Sequence, residues 1–103
     1  MTRETSRSIA AWAHETFGPA EEAALVARAW LELEELRESL ASGDAQAVLS
    51  EAADVAILLH RLASLRAGDL AEAVDAKMAR NRARTWAPSG DGTGRHVSEP
   101  DME

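Results

Sequence analysis

The sequence predicts an all-α fold on three observations. Apolar residues recur at helical spacing through most of the chain. β-branched residues are few and scattered, and alternation with period two never persists over a useful length. Gly-Pro, Gly-Asp and Pro punctuation divides the chain into four helix-length stretches and a tail. The first stretch runs from about Ser6 to Phe17 and is stopped by Gly18-Pro19. Pro19 suits the first turn of a second helix, whose dipole Glu21 and Glu22 complement. That helix reaches about Ala41. Gly43 fits a left-handed C-terminal cap, and Asp44 fits the N-cap of a third helix running to Gly68. Asp69 with Glu72 resembles a capping box for a fourth helix, whose pattern ends at Pro88.

Short connections make consecutive helices antiparallel neighbours. The expected architecture is therefore a four-helix antiparallel bundle completed by oligomerisation. The second and third helices form the central hairpin, and the first and fourth pack against it within one chain or across a dimer. Residues 1–87 form the helical domain, and residues 88–103 a Gly-rich tail expected to be mobile, with a phosphate-cradling loop at 90–96 as the alternative.

Composition narrows the function classes. A chain of 103 residues allows one domain, and alanine supplies much of its 46% hydrophobic content, so the core is thin and self-association as a homodimer or homotetramer is expected. A formal charge of −7 argues against a long nucleic-acid partner but is compatible with a small anion that carries its own metal. The absence of cysteine excludes disulfides, zinc-thiolate sites and thiol catalysis. With no signal-peptide pattern and no segment of membrane-spanning length, a cytoplasmic protein is expected.

Glu32 and Glu35, then Glu51 and Asp54, are acidic pairs of identical spacing, and residues three apart share a helix face. If the Ser42-Gly43-Asp44 break joins antiparallel helices, each pair lies about 11 Å from the turn at 1.5 Å per residue, and the pairs stand level. Glu32 continues the apolar stripe of Leu25, Ala29, Leu36 and Leu40; Glu51 continues that of Val48 and Val55, with Asp54 on the neighbouring row. Four facing carboxylates repel one another and lose hydration on burial, and hard divalent cations relieve both costs. Solvated glutamates paired with Arg28, Arg37 or Arg61 are the competing reading. The fourth helix extends its inward row into Lys77, Asn81 and Arg84, which either bind phosphate or decorate a helix C-terminus. Trp12, Phe17 and Trp30 either anchor the core or line a base pocket by stacking. His60 is expected at a helix surface.

Over roughly Leu25 to Trp86 the chain resembles the MazG-like all-α nucleotide pyrophosphohydrolases. The resemblance rests on an E-x-x-E on one helix, an E-x-x-D on the next and a K-x-x-x-N-x-x-R on a third, here Glu32/Glu35, Glu51/Asp54 and Lys77/Asn81/Arg84. Leu31 stands where many members carry a further glutamate. The resemblance implies a hydrolase acting on the α–β phosphoanhydride bond of a nucleoside triphosphate, giving nucleoside monophosphate and pyrophosphate. It implies one to three Mg²⁺ ions, or Mn²⁺, on Glu32, Glu35, Glu51 and Asp54, with Glu35 as the catalytic carboxylate. Lys77, Asn81 and Arg84 are then phosphate-binding, and Trp12 and Phe17 base-binding. A noncatalytic helical oligomerisation or regulatory module, and a phosphoribosyl-ATP pyrophosphohydrolase of the same superfamily, stand as alternatives.

Overall fold

The computed structural model describes residues 2–97 and divides the chain into two compact units, Met1–Glu72 and Ala73–Glu103. Its elements are α1 (Ser6–Phe17), α2 (Glu22–Ser39) with a 3-10 turn (Leu40–Ser42), α3 (Ala45–Leu65), α4 (Leu70–Ala83), β1 (Thr85–Pro88) and β2 (Gly94–Val97).

Local capping accounts for the helix boundaries. Thr5 and Ser8 form a reciprocal capping box at the start of α1, with Ser8 N–H donating to Thr5 Oγ1 (3.0 Å) and Thr5 N–H to Ser8 Oγ (2.8 Å). Gly43 takes the left-handed conformation at φ 70°, and Asp44 Oδ1 accepts the Gln46 N–H at 3.0 Å, both as the sequence predicts. Two boundaries differ. α2 begins at Glu22, not at Pro19: Glu21 is an extended N-cap without a side-chain bond, and Glu22 turns to pair with Arg66 across the unit. α3 ends in a Schellman motif in which Ala67, not Gly68, holds the left-handed position at φ 58°. There the Gly68 N–H reaches Ala63 O (2.9 Å) and the Ala67 N–H reaches Ser64 O (3.0 Å).

In the first unit α2 and α3 pack as the expected hairpin, and α1 packs on α3. Ala13, Leu25 and Ala29 are its buried apolar residues, joined by two polar ones, Ser6 and Glu32. The aromatic residues are not core anchors: Trp12, Phe17 and Trp30 are 55%, 67% and 65% exposed. The buried apolar positions are held by two alanines and a leucine instead.

A polar knot ties three helix ends together, and it displaces His60 from the surface position expected of it. Ser6, fully buried, receives the Leu70 N–H on its Oγ (2.7 Å), which also lies 2.7 Å from His60 Nδ1. Asp69 accepts the Ser6 N–H on Oδ1 (2.9 Å) and the Glu72 N–H on Oδ2 (3.1 Å), so one carboxylate caps both α1 and α4. These donors hold the Asp69 carboxyl below its ordinary range.

In the second unit the end of α4 is followed by an antiparallel hairpin that pairs Thr85 with Val97 and Pro88 with Gly94. Part of the expected tail is therefore ordered as strand, contrary to the expectation of no strands; residues 98–103 lie outside the described residues. Asp91 Oδ1 accepts both the N–H (3.0 Å) and hydroxyl (2.7 Å) of Thr93 and so fixes the turn. A Cβ on Gly94 would lie 2.8 Å from the Ala87 carbonyl oxygen, so this strand position requires glycine. Trp86 stacks at a tilt on the opposing His96, with centroids 5.9 Å apart, and donates its indole N–H to Asn81 O (2.8 Å).

Candidate active site

α2 and α3 bring together three of the four predicted carboxylates. Glu32, Glu35 and Glu51 each offer an oxygen, and these oxygens lie within 4.8 Å of one another. Their exposure is graded: Glu32 is buried, Glu51 is half-buried and Glu35 is open to solvent. Glu32 is 3.0 Å from Arg28 one turn earlier, the ion pair the competing reading anticipated. Glu51 has no such relief. Among the described residues its Oε1 is buried without a hydrogen-bond partner. Burial first, then the charges of Glu35, Asp54 and Glu32, push its carboxyl above the ordinary range.

Asp54 falls outside the 4.8 Å cluster yet faces the same region, since its charge acts on Glu51 and it lines a cavity of about 460 Å³ with Glu32. Ile57 and Leu58 form an apolar part of that cavity, and Trp12 and Phe17 form an aromatic one, in T-shaped contact at 5.5 Å. The two rings proposed for base binding thus border the same space as two of the acids. Arg61 also lines it, with its guanidinium carbon 5.7 Å from the Phe17 ring centroid. Sequence reasoning passed over Arg61 as a charge partner. Its signal was its place two helical turns after Asp54.

The remaining predicted residues belong to the second unit. Lys77 is exposed and Arg84 half-buried. Asn81 is half-buried, with an Oδ1 that is buried and lacks a partner among the described residues; its carbonyl accepts Trp86 and its Nδ2 lies 3.9 Å from Met78 Sδ.

An unpaired buried carboxylate oxygen is costly. The all-oxygen donor set beside it matches the preference of Mg²⁺ or Mn²⁺. On chemistry and geometry the residues fit a hard divalent cation.

No protein-family model matches the chain. It is 41% identical over 98 residues to a dATP/dGTP diphosphohydrolase of Cyanophage S-2L, covering 95% of this chain and 90% of that protein. It is 38% identical over 96 residues to a dATP/dGTP diphosphohydrolase of Salmonella phage PMBT28, covering 91% of this chain but 31% of that longer protein. Among solved structures it is similar to the Cyanophage S-2L MazG-like pyrophosphohydrolase bound to dGDP and three catalytic Mn²⁺ ions per active site. The TM-score is 0.71 and the identity 36%, over 90% of this chain and 92% of that one. The chain belongs to the MazG-like pyrophosphohydrolase family.

Proposed function

We propose that the protein hydrolyses dATP and dGTP between the α and β phosphates, releasing deoxynucleoside monophosphate and pyrophosphate with a divalent metal, Mg²⁺ or Mn²⁺. The observation that carries this reading is Glu51 Oε1, buried and unpartnered among the described residues, within a cluster of three carboxylates beside an aromatic-walled cavity. The names of the relatives support the substrate class.

Glu32, Glu35, Glu51 and Asp54 would hold the metal, which when bound neutralises phosphate charge and acidifies water. Glu35 is the open member of the cluster, so it is the carboxylate that bulk water reaches most readily, and we assign it the role of orienting or deprotonating the attacking water. Arg28 holds Glu32 in place through their ion pair. Trp12 and Phe17 offer their rings to the base at one end of the cavity that Glu32 and Asp54 border. Lys77, Asn81 and Arg84 are assigned to the phosphates by their place in the family motif. A homodimer or homotetramer is supported by the large apolar residues left exposed on one chain, among them Trp30, Leu31, Leu40 and Leu49.

Phosphorus NMR of dATP or dGTP incubated with the protein and Mg²⁺ tests the reaction. Stoichiometric monophosphate and pyrophosphate is the expected product pair. Diphosphate plus inorganic phosphate, or no turnover, would contradict it.

A further inference from the structure

We infer that a second cavity, between α1 and the end of α3, is an anion site that takes a small free polyphosphate such as pyrophosphate and lies apart from the acidic cluster. Its volume of about 260 Å³ is below the roughly 300–1,000 Å³ of pockets that enclose larger organic ligands. Its polar side chains are Arg7, His14, Arg61 and Ser64, all able to donate hydrogen bonds. The rest of the lining is alanine, glycine and leucine, and no acidic side chain contributes. In a chain with 18 acids against 11 lysines and arginines, composition alone would supply the reverse.

Neither arginine is compensated. Among the described residues the salt bridges use Arg28, Arg37 and Arg66, and none reaches Arg7 or Arg61. Helix dipoles account for His14 alone, in the last turn of α1; α3 has no basic residue in its last turn. Arg7 stands at the start of α1, where the dipole disfavours a cation, and the first turn of that helix holds no acid. Two guanidinium groups bordering one small space repel each other until an anion enters. Their forks match the oxygens of a phosphate group, to which Ser64 adds a hydroxyl donor. Arg61 lines both cavities and lies over Phe17, 5.7 Å from the ring centroid, so an anion held in the second cavity competes with the aromatic wall of the first for this side chain.

Pyrophosphate is the probe because the proposed hydrolysis would release it; that choice rests on the hydrolase reading, whereas the site does not. The test titrates pyrophosphate, sulfate or dGMP into the isotope-labelled whole chain, without metal and at matched ionic strength, and follows backbone amides by NMR. Pyrophosphate is expected to give saturable shifts centred on Arg7, His14, Gly18 and Ser64, with a smaller one at Phe17. Sulfate and dGMP are expected to bind these positions more weakly. Arg7→Ala, a change at an exposed residue, should weaken pyrophosphate roughly tenfold or more, the scale of one lost charge-assisted contact. Its melting temperature and its turnover of dGTP with Mg²⁺ should stay close to those of the wild type. Shifts centred on Lys77, Asn81 and Arg84 instead, sulfate or dGMP binding as tightly as pyrophosphate, or unchanged binding to a folded Arg7→Ala protein overturns the assignment. Absence of turnover of dATP and dGTP in a separate assay would overturn the hydrolase reading and leave the anion site standing.

Discussion

Asp69 and Glu51 are both carboxylates held where helices meet, and the molecule treats them in opposite ways. Asp69 receives backbone donors from two helix starts and is held in its charged form. Glu51 has a buried oxygen with no donor among the described residues, and burial followed by three acidic neighbours pushes it toward its neutral form. The first arrangement stabilises the fold without any ligand. The second costs stability until something positively charged arrives. Both lie within the first 72 residues, and both need helices to meet: Asp69 reaches the Ser6 N–H 63 positions away, and the acidic cluster needs α2 and α3 to be paired.

Replacing Glu51 by Gln should give the largest functional effect and the clearest separation. Metal-dependent pyrophosphate release should fall by roughly a thousandfold or more, the scale expected when a charge-stabilising metal is mispositioned. The metal-free melting temperature should hold or rise, because the amide removes one of the clustered charges and can donate to its neighbours. A variant that melts well below the wild type would show that Glu51 is structural, and the contrast with Asp69 would fail.

Ser6→Ala probes the other side. It strips the acceptor from the Leu70 N–H and the partner from His60 in a fully buried site, a loss of about 1–3 kcal/mol by chemical denaturation. At a temperature where the variant remains folded, its kcat should stay close to that of the wild type.

The two carboxylates also give opposite pH dependences. Asp69 has a lowered folded-state pKa, so its contribution is present above its ordinary value and is lost as pH falls through the folded one. Glu51 has a raised folded-state pKa, so the protein is favoured below the ordinary glutamate value and that advantage is lost as pH rises through the folded one. In metal-free protein the melting temperature should therefore fall on both sides of the carboxylate range. Added Mg²⁺ should raise the high-pH limb and leave the low-pH limb unchanged, since protonated carboxylates do not bind it. Equal Mg²⁺ stabilisation at both ends would break the assignment.

The smallest effect is expected away from both sites. Ala67 occupies a left-handed position that costs an alanine about 1 kcal/mol, so Ala67→Gly should stabilise the fold by up to about that amount in denaturant unfolding, with activity unchanged.

What was legible in the sequence follows the range of each interaction. Gly43, Asp44 and the Ser6 start of α1 obey rules that span four residues, and the structure places them as read. The inward direction of Glu32 followed from a single stripe shared with Leu25 and Ala29, all three of which are buried. The knot of Ser6, His60 and Asp69 joins residues more than fifty positions apart, so no local pattern announces it. The hairpin escaped because Thr85–Pro88 and Gly94–Val97 are too short for alternation to register, and their order depends on cross-strand pairing, the Asp91 turn and the Trp86–His96 contact. The exposed aromatics were misjudged because side-chain size alone argued for burial, whereas the buried apolar positions are held by Ala13, Leu25 and Ala29.

Isothermal titration of Mn²⁺ into wild-type and Glu51→Gln protein, at a pH where both are folded, addresses the acidic cleft most directly. Saturable binding to the wild type is expected, weakened at least tenfold in the variant, with proton release on binding near the carboxylate range. Binding of equal strength to both proteins would mean that the cation sits elsewhere and that the buried oxygen of Glu51 has another purpose.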